Sequence, residues 1–218
     1  MRNYLFIALI FNLTLACNQA PKLKMTSFVR YIAPEEAIQA DVSIFNEKNP
    51  TVPIKVDNLF FNGGAMERKE NKIQGIVYRS ERDGKYPVDF SYTFNFEKKD
   101  YQATLKAAAI KDLMVVDSLA HKKSGIKIRW NGEPLKKDEV LTAVISDEEG
   151  TSAEAQIQGA TQSNEVSIPG TMFSGLKTGK GSVFIVKRRT EFIDNQNLSI
   201  ESAIEFYSKT VTVYLREE

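Results

Sequence analysis

Apolar and polar residues alternate with a period of two over much of this chain. Ile38, Ala40, Val42 and Ile44 are separated by Gln39, Asp41 and Ser43, and Phe90, Tyr92, Phe94 and Phe96 by Ser91, Thr93 and Asn95. That spacing places the apolar side chains on one face of an extended backbone, so each run predicts a strand with one buried face. The second half repeats the pattern in Ile126, Ile128 and Trp130, in Ala153, Ala155 and Ile157, and in Val211, Val213 and Leu215. The unbroken run Val183-Phe184-Ile185-Val186 predicts a central strand buried on both faces. Asn62-Gly63-Gly64, Asp83-Gly84, Asn131-Gly132 and Glu149-Gly150 stand between runs and predict hairpin turns, because these residues tolerate positive φ.

Two segments also fit a helical period. Leu105, Ala109, Leu113 and Val116 share one helical face, as do Ile200, Ala203, Ile204 and Tyr207. Both are assigned to strands, the second because Phe206-Tyr207 and the Thr210 to Leu215 run read together as a hairpin. Strands with turn signals every 8–15 residues predict an all-β protein built as sandwiches. They divide into two groups, 26–118 and 123–218, each the size of one immunoglobulin-like module. The polar stretch from Asp117 to Ser124 is the expected joint.

The N-terminus follows a different plan. Met1-Arg2-Asn3 precedes the apolar Tyr4 to Phe11, then Asn12-Leu13-Thr14-Leu15-Ala16 and Cys17. A positive start and a short apolar run predict a signal peptide over 1–16, too short to span a bilayer, which takes about 20 residues. Cys17, behind the small Ala16 and before Asn18-Gln19, resembles the lipobox of bacterial lipoproteins. Thr14 stands where that box usually has leucine. The resemblance implies acylation of Cys17, a membrane anchor through lipid and an outer-membrane lipoprotein, with 17–25 as a tether. The alternatives are plain secretion after Ala16 and an uncleaved anchor.

Composition narrows the chemistry. The chain has 218 residues, 42% hydrophobic, enough to bury a core. Its 29 Lys plus Arg nearly cancel 28 Asp plus Glu, so no strong positive field marks a nucleic-acid partner. One His and one Cys rule out zinc clusters and disulfide scaffolds, and no cofactor is implied. His121, the only candidate base for a hydrolytic triad, falls in the expected joint beside Lys122 and Lys123 and reads as a solvated linker residue. Asp147-Glu148-Glu149-Gly150 lacks the ligand alternation of a calcium loop and reads as a hairpin tip. The glycines from Gly175 to Gly181 lack phosphate-loop spacing. Lys187-Arg188-Arg189 reads as a strand leaving the core, its cations deterring edge pairing, with contact to phosphate or acidic glycan as the alternative.

The layout resembles a group of Gram-negative cell-envelope lipoproteins with tandem immunoglobulin-like domains. Val56 to Gly64, with Ile76-Val77-Tyr78, occupies the place of that group's Asn-Gly hairpin and Tyr-bearing strand. Tyr207-Ser208 and Val211 to Leu215 match its closing turn and strand. The resemblance implies a fold and a location and carries over no functional residue. The expected role is non-catalytic, binding or structural, with a protein or glycan partner; a carbohydrate-binding surface lipoprotein is the alternative. Aromatics beside turns, Phe60, Phe61 and Tyr86, together with Trp130, are the candidate ligand contacts. A sandwich-core place is the competing reading of Trp130, and rim packing that of the other three.

Overall fold

The structure is a computed structural model and describes residues 22–106 and 109–218. The expected signal peptide, Cys17 and the tether up to residue 21 lie outside the described residues. The first half forms β1 (Leu23–Ile32), β2 (Ala37–Asn46), β3 (Asn49–Pro53), β4 (Asp57–Phe61), β5 (Gly64–Ala65), β6 (Glu67–Asn71), β7 (Gly75–Asp83), β8 (Phe90–Phe96) and β9 (Lys99–Leu105). The second half forms β10 (Lys111–Val115), β11 (Leu119–His121), β12 (Ile126–Asn131), β13 (Glu139–Asp147), β14 (Ser152–Gln158), β15 (Glu165–Ile168), β16 (Gly179–Asp194), β17 (Leu198–Tyr207) and β18 (Val211–Arg216). Short 3-10 turns at Val116–Ser118 and Gly170–Phe173 are the only helical elements among the described residues. The protein is all-β, as the alternation predicts.

The strands make one large sheet of eleven and two smaller sheets. The large one runs β11-β18-β16-β17-β1-β2-β7-β6, with β13 and β14 continuing from β16 and β3 added to β2. Sheets β5-β4-β8-β9 and β10-β12-β15 supply the opposing layers. Alternating burial along β1, β13 and β17 shows the inward face that period-two sequence requires. Phe61, Phe90, Tyr92, Ile128, Trp130, Leu141 and Val183 all belong to the continuous core between these layers.

β16 gathers the strands of the second half, which reach the first half through β17. Its 16 residues pair with β13 from Gly181 to Arg189 on one side. On the other side it pairs with β18 over Gly179 to Val183, then changes partner and pairs with β17 from Val186 to Asp194. β17 in turn lies parallel to β1, with Leu23 opposite Leu198 and Ile32 opposite Tyr207. Ser27 donates to the Ser202 hydroxyl across that seam at 2.6 Å, both residues buried. Leu198, Ile200, Ile204 and Phe206 of β17 are buried, each contributing roughly 1.5–3 kcal/mol of gross transfer energy.

This topology corrects several expectations. The division at 118 and 123 does not follow the pairing: β10 pairs with β12, and β17 completes the sheet begun by β1. The expected joint contains β11, which pairs in parallel with β18 and buries Ala120 fully. The tether expected to reach residue 25 is strand from Leu23 on, with Leu23 and Met25 inside the core. Val183 and Ile185 are buried but Phe184 and Val186 are only half-buried, so that strand buries one face rather than two.

Asn62-Gly63 and Glu149-Gly150 do close hairpins, β4–β5 and β13–β14. After Asp83 and Asn131, by contrast, the chain crosses to another sheet, because the next strand belongs to the opposite layer. Among the described residues the helical period after Leu105 is not realised. Asp112 sits at φ 48° in a bulge of β10, a left-handed conformation that no α-helix tolerates.

Candidate functional site

Where the two halves meet, the end of β1, the turn after β17 and the start of β10 surround a cleft of about 490 Å³. Its floor is aromatic. Tyr86 meets Tyr31 edge-on at 5.1 Å and Phe206 at 5.3 Å, and Tyr31 lies 5.4 Å from Phe206. Parallel pairing makes this possible, because Tyr31 and Phe206 are direct register partners on adjacent strands. Behind them Tyr86 packs edge-on against Phe90 of β8 at 5.5 Å, so the floor is supported from the opposing sheet.

Burial raises the pKa of the Tyr86 hydroxyl; the Glu139 carboxylate raises it further, while Arg189 opposes. Burial likewise raises that of Tyr31, helped by Glu36 and opposed by a hydrogen bond with the Tyr86 backbone. Both phenols therefore stay protonated at neutral pH. They offer apolar ring surface and neutral hydrogen-bonding groups rather than a base.

Ile110, Leu113 and Val211 extend the apolar wall, and charged residues form the rim. Lys85, Lys111 and Lys209 come from the connection after β7, from β10 and from the connection after β17, and no carboxylate of the described residues pairs with any of them. Glu36 and Asp112 complete the rim; both adopt positive φ, at 50° and 48°. Non-glycine residues held there are uncommon, and they concentrate at ligand clamps and functional turns.

A charged network braces the cleft from behind. The Lys187 ammonium lies 2.8 Å from the Glu139 carboxylate, with the two side chains 4% and 1% exposed. Arg189 donates to Asp138 at 3.0 Å and to the Lys106 carbonyl at 2.6 Å, while the Lys106 N–H donates to Glu191 at 3.1 Å. The connection leaving β9 is thus clamped to β16. The expectation that Lys187-Arg188-Arg189 is simply a strand leaving the core is corrected here. Only Arg188 is exposed, because period two turns Lys187 inward.

The four aromatics expected to contact a ligand do not come together. Phe61 and Trp130 are core residues with no exposed surface, so they cannot touch one: Phe61 stacks on Phe90, and the Trp130 indole donates to the Glu133 carbonyl at 3.0 Å. Phe60 is half-buried on β4, away from the cleft. Tyr86 alone lines it. Tyr31, Phe206 and Lys209 were missed because their meeting depends on the β1–β17 seam, which no local pattern encodes.

The remaining chemical candidates have structural partners. The His121 ring contacts the Glu218 carbonyl, and its backbone pairs with Gly125, so it is not a loose linker residue. Asp147 is buried and accepts from the N–H groups of Glu149, Thr151 and Lys177, whose bonds hold its pKa below the ordinary carboxylate value. No group of His, Cys, Asp and Glu among the described residues is placed to hold a metal ion. No helix among them is long and apolar enough to cross a membrane.

No family model and no curated protein matches the chain. Among solved structures it is similar to the Yersinia pseudotuberculosis adhesin InvE, at 10% identity and a TM-score of 0.25. The likeness covers 84% of this chain and 58% of that one, so the chain spans little more than half the length of that neighbour.

Proposed function

We propose that this protein is a cell-envelope lipoprotein with a non-catalytic binding role, anchored through acylated Cys17 and presenting its β scaffold from the outer membrane. The observation that carries the binding role is the aromatic cleft between the halves. Concave sites with apolar floors and a few converging polar groups are characteristic of binding, and they favour places where two structural units meet. The N-terminal sequence supports the anchor: a positive start, a short apolar run and Cys17 directly behind Ala16.

A second reading, carbohydrate binding, is favoured by a separate feature. The outer face of the large sheet has a hollow of about 290 Å³ where Phe28 stands beside Arg30, Gln39, Asp41 and Arg79. A half-buried aromatic ring flanked by planar polar groups suits a sugar ring.

Metabolic labelling with an alkyne fatty acid tests the anchor, comparing wild type with Cys17→Ala and adding protease to intact cells. Label that vanishes in the variant, with the wild-type body cleaved from outside, fits a surface-displayed binding protein. Label with protection places it on the periplasmic side. Absence of label in both defeats the anchored reading. A glycan array probed with wild type and Phe28→Ala tests the second reading, which fails if no glycan depends on Phe28.

A further inference from the structure

We infer that the junction cleft and the free edge of β10 together form one site for an extended, acidic segment of a partner protein carrying apolar side chains. The inference rests on the binding reading above and names the partner's chemistry.

Three features converge. β10 is an edge strand, hydrogen-bonded to β12 on one side and to no strand on the other among the described residues, with part of β18 close by. An edge strand offers backbone N–H and C=O groups to an incoming chain, which gives affinity while pockets beside it give selectivity. The same strand lines the cleft through Lys111, Asp112 and Leu113, so a segment paired to it runs alongside the aromatic floor. Successive side chains of an extended segment point alternately to opposite faces, so every second one can enter the cleft over Tyr31, Tyr86 and Phe206.

Charge selects the segment. Lys85, Lys111 and Lys209 are all exposed and ring the apolar floor, and no carboxylate of the described residues forms an ion pair with them. Against them stand Glu36 and Asp112, and the Asp112 carboxylate already accepts from the Asn131 amide at 3.0 Å. The rim is therefore net positive, and carboxylates on the partner complement it, chiefly in association rate and specificity. The bulge at Asp112 breaks the β10 ladder between Lys111 and Met114. Such a break shortens what can pair there and favours a short segment over a long added strand.

The test uses the full chain as purified from expressing cells and held in phosphatidylcholine nanodiscs. The probe is a fluorescein-labelled peptide, Glu-Phe-Glu-Val-Glu-Val-Glu, read by fluorescence anisotropy. Three companions are measured: the peptide with every Glu replaced by Lys, the peptide N-methylated along its backbone, and lauric acid as competitor. The expected result is saturable binding of the acidic peptide, weakened about tenfold or more in Lys85→Glu/Lys111→Glu/Lys209→Glu and further weakened by added salt. N-methylation is expected to abolish it.

These lysines are exposed, so the triple variant folds, which its circular dichroism checks. No binding, equal binding of the Lys peptide or undiminished binding of the N-methylated peptide overturns the inference. Binding of lauric acid with no peptide binding overturns it in favour of a lipid ligand. Anchorage through Cys17 is read separately by labelling, so a negative peptide result leaves the envelope reading standing. A Cys17→Ala result without effect leaves the peptide site standing.

Discussion

The Lys187 ammonium and the Glu139 carboxylate meet 2.8 Å apart inside the core, on the adjacent strands β16 and β13. Neither charge reaches water. Removing one partner leaves the other buried and uncompensated, at a cost of about 3–5 kcal/mol, whereas replacing both with apolar residues is far cheaper. Lys187→Met is therefore expected to lose about 3 kcal/mol or more in urea unfolding. Lys187→Met/Glu139→Leu should recover much of that loss, falling short by the Lys136 N–H that Glu139 also accepts at 2.9 Å. A double variant no more stable than the single would show that the pair is not coupled.

Ser208 marks the place where β16 changes partner. Its hydroxyl accepts from the Ile185 N–H at 2.9 Å, and its own N–H donates to the Ile185 carbonyl at 2.9 Å. Ser208→Ala strands one buried amide and should cost about 1–3 kcal/mol. Amide exchange at Ile185, read by NMR, is expected to accelerate more than that of its neighbours in β16. Uniform acceleration along the strand would contradict this local account.

Asp147 gives a pH signature. Its folded-state pKa is depressed by three backbone N–H bonds, so it contributes stability above its unfolded value of about 3.9 and loses it as pH falls through the folded value. Wild type should melt higher than Asp147→Asn at pH 6, with the gap closing below about pH 4. A gap independent of pH would assign the effect to shape rather than charge.

The halves should also unfold together. Trp130 is the only tryptophan and reports on β12, while far-UV circular dichroism reports on every strand. Because β17 is a strand of the sheet that begins with β1, the two signals are expected to coincide across a urea titration. Two separated transitions would mean that the halves are independent modules.

Much of the fold was legible in the sequence, and its limits have a clear physical cause. Period two located the strands holding Ile38, Phe90, Ile126, Ala155 and Val211, because alternation is a property of the strand itself. Which strand lies beside which is not local. Nothing around Tyr31 announces Phe206, and a cut at Asp117 to Ser124 follows from polarity that β11 carries on only part of its surface. Trp130 shows the same boundary: its core place follows from sharing a face with Ile126 and Ile128, whereas its candidacy as a ligand contact came from residue type alone. Lys187 was misread because a cation beside an apolar run suggests an exit from the core. Its phase, in step with Val183 and Ile185, was already pointing inward.

The seam between β1 and β17 ties the beginning of the described chain to its end, with Ser27 and Ser202 touching across 175 positions of sequence. A polypeptide emerging N-terminus first, from a ribosome or through a membrane pore, presents β1 long before its partner exists. The first half must wait with an open edge and an unfinished aromatic floor until nearly the last strand arrives. Completion is then a late and slow event, as large loop closures are. A chaperone that shields β1 in that interval would speed maturation without touching the finished molecule.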